Sequence, residues 1–163
     1  MPQFNLSGVT LSTEREWLVQ RIGWILWAVI ILGAIGGIFG PGPLSSTIAK
    51  SSDGTTQVSF NKFLHYHSSE TIEIILRPER GSKTADLFLS RSLLDNLEIR
   101  KTEPESNESI LEEDGVVYIF SKLSSANSVK VVLHVEYQNY GTSTGAIGLA
   151  GHALAQLNQF VYP

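Results

Sequence analysis

Hydrophobic and polar positions divide this chain into two regimes. From Ile22 to Gly40 the residues are uncharged and apolar, directly after Arg21 and directly before Pro41-Gly42-Pro43. Nineteen residues at a helical rise of 1.5 Å span ~28 Å, close to the hydrocarbon thickness of a bilayer. Lipid offers backbone polar groups no partners, so the run predicts one transmembrane α-helix. Beyond it the pattern changes to period two. Ile72, Ile74 and Leu76 share one face of a short run, as do Val116, Tyr118 and Phe120. The longest run alternates at Val129, Val131, Leu133, Val135 and Tyr137. Such alternation of branched and aromatic residues predicts half-buried antiparallel strands.

About seven or eight such runs predict a mainly β fold, an antiparallel β-sandwich carried behind the single N-terminal helix. Asp114-Gly115, between Ile110-Leu111 and Val116-Val117, suits a type I′ hairpin turn. Ser90 to Asn96 reads as a short helical turn between strands. The organisation that follows is an N-terminal tail over 1–13, an anchor helix over 14–40, a linker over 41–57 rich in Ser, Thr and Gly, and a sandwich over 58–163.

Features at both ends of the apolar run support an anchor. Thr13 and Glu16 have capping-box spacing, which places the helix start near Glu14. Trp17, Trp24 and Trp27 form an interfacial aromatic cluster, among which Arg21 can snorkel to headgroups. A cleaved signal peptide, with Thr47 and Ala49 at −3 and −1, fits less well. Its apolar stretch exceeds the usual length and Pro41-Gly42-Pro43 makes a stiff exit. Arg15 and Arg21 on the N-terminal flank, against Lys50 alone near the exit, favour a cytoplasmic N-terminus and an extracytoplasmic domain. Gly33, Gly36, Gly37 and Gly40 make two overlapping G-x-x-x-G pairs, a face stripped to backbone that another helix can approach closely. An identical chain or a different membrane protein would serve equally.

Charge and composition mostly exclude. The net charge of −4 lies in the domain, because Arg15 and Arg21 balance Glu14 and Glu16. No basic patch follows a phosphate backbone, which argues against nucleic acid. With Cys 0, disulfides and thiolate chemistry are ruled out. Tyr137 to Pro163 contains no Asp, Glu, Lys or Arg. Within it, Gly145, Ile147, Gly148, Leu149 and Gly151 belong either to a closing strand and loop of the core or to an apolar surface docked on a partner.

Candidate chemistry is thin. Gly141-Thr142-Ser143-Thr144-Gly145 matches the G-x-S-x-G elbow, and His152 follows. That chemistry also needs an acid, and no Asp or Glu occurs after Glu136. His65, His67 and His134 could meet on zinc or copper if they shared a face, and solvated histidines are the plainer reading. Glu103, Glu105, Glu108, Glu112, Glu113 and Asp114 form an acidic stretch without the calcium-loop pattern. Asn107-Glu108-Ser109 fits an N-glycosylation acceptor. No phosphate loop, dinucleotide fingerprint or paired-carboxylate site is present, and no cofactor is called for.

The helix exit Phe39-Gly40-Pro41-Gly42-Pro43-Leu44-Ser45 and the ending Gln159-Phe160-Val161-Tyr162-Pro163 resemble a group of uncharacterised bacterial single-pass membrane proteins. Those share one N-terminal membrane helix, a small β-rich extracytoplasmic domain and an aromatic-Pro ending. The resemblance implies a bacterial inner-membrane location and a multi-pass membrane protein as partner, and it supplies no catalytic residues. The sequence thus leads to the expectation of a non-enzymatic accessory or scaffold subunit that docks a β-sandwich on a larger membrane assembly. The alternative is a tethered ligand- or metal-binding module built on the three histidines, and a hydrolase using Ser143 comes third.

Overall fold

The computed structural model describes residues 9–36, 45–121 and 128–163. Helix α1 runs Val9–Gly36 and includes one segment, Glu16–Ile35, long and apolar enough to cross a membrane. The helix already includes Val9 to Glu14, so Thr13 lies within it rather than at the helix start expected near Glu14. Gly37 and Gly40, half of the proposed helix-packing face, lie outside the described residues.

The described remainder forms two packed sheets. One has five strands in the order β1 (Ser46–Lys50), β2 (Thr56–Asn61), β4 (Ser69–Leu76), β9 (Val129–Tyr137) and β6 (Leu97–Glu103). The other has six: β3 (Phe63–His65), β11 (Ala155–Tyr162), β10 (Gly141–Leu149), β5 (Thr84–Ser90), β8 (Gly115–Ser121) and β7 (Glu108–Glu112). The sandwich expected from the alternation is present, with one parallel contact, β3 against β11. Residues 46–50 and 56–57, assigned to the linker, instead belong to β1 and β2. Their alternation is too short to stand out in sequence, and it is pairing with β2 that makes β1 a strand. The helical turn appears as α2 (Arg91–Leu94), with Leu93 buried.

Alternate residues of each strand meet between the sheets. Ile72, Ile74 and Leu76 from β4 and Val131, Leu133 and Val135 from β9 pack against Ala85, Leu87, Leu89, Phe120, Ile147 and Leu157. A buried polar relay crosses this core. Tyr137 Oη donates to Gln159 Oε1 at 2.6 Å, and Gln159 Nε2 donates to the Asn61 carbonyl at 2.9 Å. Burial pushes the Tyr137 phenol far above its ordinary range, so it stays a neutral donor.

The β7–β8 hairpin differs from expectation by one residue. Glu112 pairs with Gly115, so Glu113-Asp114 is the loop, and Gly115 is not among the positive-φ glycines. Gly115 is there for space. A Cβ on it would stand 2.1 Å from the Leu89 carbonyl oxygen and 2.9 Å from Phe88 Cζ.

The loop joining β1 to β2 is held to the loop joining β10 to β11 through Asp53. Its carboxylate accepts from Ser51 Oγ (2.6 Å), Thr55 N (3.1 Å), Thr55 Oγ1 (2.8 Å) and Ala153 N (3.2 Å). The Ser51 hydroxyl first, then the Thr55 amide, hold its pKa well below the ordinary carboxylate range. A depressed folded value contributes stability that is complete above the unfolded value and is lost as pH falls toward the folded one. Lowering pH below the ordinary 3.8 is therefore expected to reduce the melting temperature of the sandwich. In Asp53→Asn this acid dependence should be visibly flatter in melts recorded from pH 6 to pH 2.

Candidate functional site

The two outward faces of the sandwich differ in chemistry. On the β4, β9 and β6 part of the five-stranded sheet, outward side chains form separate groups of ion pairs. Glu136 accepts from Arg100 Nε (3.0 Å) and Nη2 (2.9 Å) and pairs with His67 Nδ1 (2.9 Å). Arg100 Nη1 also donates to Glu98 (2.7 Å). Lys101 binds Glu103, which lies 3.6 Å from His134 Nε2, and Lys130 lies 3.1 Å from Glu73. The His67 contact first, then Arg100, lowers the Glu136 pKa. This is a solvated surface with its charges matched to one another.

The β3–β11–β10 half of the other sheet carries no charge on its outward side. The register pairs Thr142 with Phe160, Thr144 with Asn158 and Ala146 with Gln156, and these residues face away from the core. Parallel pairing sets Phe63 beside Phe160 and His65 beside Tyr162. The rings gather there: Phe160 to Tyr162 at 5.0 Å, His65 to Tyr162 at 5.9 Å and Phe63 to Tyr162 at 6.2 Å. Tyr66 packs edge-on to Tyr140 at 6.3 Å just beyond. Phe160 is 41% exposed, although it lies within a sheet. Aromatic side chains are enriched at protein interfaces relative to the rest of the surface.

The charge-free character of Tyr137–Pro163 was legible in sequence, and of the two readings open for Gly145, Ile147, Gly148, Leu149 and Gly151 the structure gives the closing strand and loop of the core, with all but Gly151 buried. Gly145, Ile147 and Leu149 point inward and are buried. A Cβ on Gly145 would stand 2.5 Å from Leu93 Cβ, so this glycine exists to let α2 rest on β10. Gly148 is covered by Leu154 from the following loop. Gly151 is exposed in that loop with φ 78°. The strand period is two, so moving the reading by one residue exchanges the buried set for the exposed one. Phe63, Phe160, Tyr162, Thr142 and Thr144 are the residues sequence reasoning missed. The alternation of Leu157, Gln159 and Val161 with Asn158, Phe160 and Tyr162 was the available signal, blurred by aromatic residues on the exposed side.

The three histidines do not converge. His65 ends β3 in the six-stranded sheet, whereas His67 has already crossed to the other sheet, turning there with φ 57°. His67 pairs with Glu136, and His134 sits beside Glu103. Among the described residues no group of three His, Cys, Asp or Glu side chains is placed to hold a metal. The elbow reading fails on geometry as well. Ser143 lies mid-strand, 2% exposed, facing the core. His152 lies in the loop beyond Leu149, beside Asp53 at 3.4 Å, at a distance along β10 of roughly 20 Å from Ser143. Asn107 is engaged too, its Oδ1 accepting from the amide and hydroxyl of Ser121, both at 2.8 Å.

On α1, Trp17, Trp24 and Trp27 are exposed along the helix. Arg21 lies over the Trp17 ring, 4.6 Å from its centroid, a cation–π contact one turn apart. Gly33 and Gly36 lie in the last described turn of the helix.

No protein-family model and no curated protein matches this chain. Among solved structures, a cohesin module from a Clostridium perfringens ATCC13124 family 33 glycoside hydrolase is similar at a TM-score of 0.43. The sequences are 11% identical, over 71% of this chain and 97% of that one.

Proposed function

We propose that this chain is a non-catalytic accessory subunit, anchored in a bacterial inner membrane by α1 and docking its sandwich on a multi-pass membrane protein. The N-terminus is cytoplasmic and the sandwich extracytoplasmic in this reading. The observation that carries it is the contrast between the two outer faces: one bearing ion pairs over β4, β9 and β6, the other uncharged and aromatic from β3 to β10. A surface intended only for water has no need of that contrast. Trp17, Arg21, Trp24 and Trp27 fit the headgroup layer, and Gly33, Gly36, Gly37 and Gly40 offer a side for helix–helix contact, with the partner or with a second copy.

The tether supports the same reading. Nine Cα steps separate Gly36 from Ser45, a reach of at most about 31 Å. Ser45 Oγ accepts from Phe63 N at 3.0 Å and donates to Phe63 O at 3.3 Å. The aromatic face therefore starts where the chain arrives from the helix, within range of the extracytoplasmic parts of a neighbouring membrane protein.

Extraction of the full chain in a mild maltoside detergent should recover a stoichiometric multi-pass protein. Phe160→Asp combined with Thr144→Asp should release that protein while leaving the circular dichroism of the sandwich unchanged. A lone monomer in every mild detergent, or a complex indifferent to both substitutions, would reject the docking role.

A further inference from the structure

The six-stranded sheet has a second edge, opposite β3, and its strand differs from the other edges of the sandwich. β3 is three residues long, and the Ser45 hydroxyl occupies both main-chain polar groups of Phe63. β6 is broken by a register shift between Ile99 and Lys101 and is lined with ion pairs. β1 ends on an exposed lysine, Lys50. Short length, bulges and lysines are the usual means by which edges are kept from pairing. β7 has neither bulge nor lysine: all five of its residues are exposed, and among the described residues it pairs with β8 alone.

The side chains of β7 make that edge selective. Register with β8 places Glu108, Ile110 and Glu112 on one side of the strand and Ser109 and Leu111 on the other. Leu111 is 84% exposed and Ile110 43%, unusual for branched aliphatics in a strand. Leu111 borders a shallow pocket of ≈ 230 Å³ lined by Leu94 and Val116 on its apolar side and by Arg91, Asp95 and Glu112 on its polar side. From Glu103 through Ser121 there is no Lys or Arg, and the hairpin loop adds Glu113 and Asp114.

We propose that β7 receives an extended segment of another polypeptide by strand addition, a segment with two basic residues four apart on one side and aliphatic residues on the other. Outward main-chain groups of β7 supply the ladder and side-chain pockets supply the choice, as in other edge-addition complexes. Basic residues four apart would stand opposite Glu108 and Glu112, and an aliphatic residue between them would enter the Leu94–Leu111 pocket. A second copy of this chain is disfavoured at the same edge. Antiparallel pairing centred on Ile110 would oppose Glu108 to Glu112 of the other copy twice, a like-charge arrangement that destabilises sheets. This site is separate from the aromatic face, and neither proposal depends on the other.

Hydrogen exchange read by mass spectrometry on the full chain in maltoside micelles tests it, with capped Val-Lys-Val-Thr-Val-Lys-Val as probe and capped Val-Glu-Val-Thr-Val-Glu-Val as its counterpart. The lysine peptide should slow exchange over 108–112 by tenfold or more, and the glutamate peptide should not. Glu108→Lys with Glu112→Lys should reverse that preference; both carboxylates are exposed and outside the core, so folding should be preserved. Unchanged exchange at β7, equal protection by both peptides, or protection confined to another segment would overturn the proposal.

Discussion

Gly115→Ala is expected to destabilise the sandwich by about 3 kcal/mol, the upper end for an overpacked site. General propensity points the other way, since replacing glycine inside a strand ordinarily stabilises by a few tenths to 1 kcal/mol. Contact decides the sign. The new methyl would stand 2.1 Å from the Leu89 carbonyl oxygen, a backbone atom of β5 that cannot rotate away. Relief requires moving β8 off β5, which also strains the 2.7 Å bond from Arg91 N to the Asp114 carbonyl. Gly115→Asn separates this account from the type I′ reading. At a positive-φ turn position asparagine is tolerated, whereas here it should be at least as damaging as alanine. Urea unfolding of the full chain in micelles, followed by circular dichroism near 218 nm, gives the measurement. Tryptophan emission would not, because all three tryptophans lie in α1. A loss below about 1 kcal/mol for alanine would show that the two strands part easily.

Tyr137→Ala should cost about 4 kcal/mol, comparable with other aromatic truncations in packed cores. Tyr137 is fully buried where β9 faces β11, and its removal leaves both a cavity and an unpaired Gln159 Oε1. Tyr137→Phe isolates the second effect. It keeps the ring and orphans the amide oxygen, a loss of about 1–3 kcal/mol. Gln159→Met removes the other partner, and Tyr137→Phe with Gln159→Met should cost less than the two single losses added together. The two side chains touch at 2.6 Å, so coupling of about 1 kcal/mol is the expected scale. Strict additivity would mean that the relay contributes packing and nothing more.

How far the sequence could be read depended on whether a feature is local. The apolar run ending in α1 is visible because each residue contributes to it independently of what lies opposite. The alternation in β4 and β9 is equally plain, since both strands are central in their sheet and bury one face along most of their length. β1 escaped notice because an edge strand of five residues has only one partner to make it a strand. The hairpin at β7–β8 was found and its turn misplaced, since a glycine required by the neighbouring strand β5 looks the same in sequence as one required by φ.

The candidate surface shows the same division more sharply. Absence of charge over Tyr137–Pro163 says that this stretch is unusual, but both sides of a strand contribute to that count. Which half is exposed is settled by register with β5 and β3. That pairing turned Ile147 and Leu149 inward and left Phe160 and Thr144 outside. The histidine pair two apart in sequence was likewise divided by the turn at His67, which no spacing rule anticipates.

By itself, the amino-acid order determined that the chain has one helix suited to lipid, a β-rich domain behind it, no thiol chemistry and a long uncharged ending. These follow from side-chain transfer preferences and from the periods of helix and strand, both properties of neighbouring residues. Tertiary structure alone decided which face of each strand meets water, where the histidines go, and why Gly115 and Gly145 are glycines. Those depend on contacts between residues far apart in the chain, and burial is a property of what packs opposite rather than of what comes next.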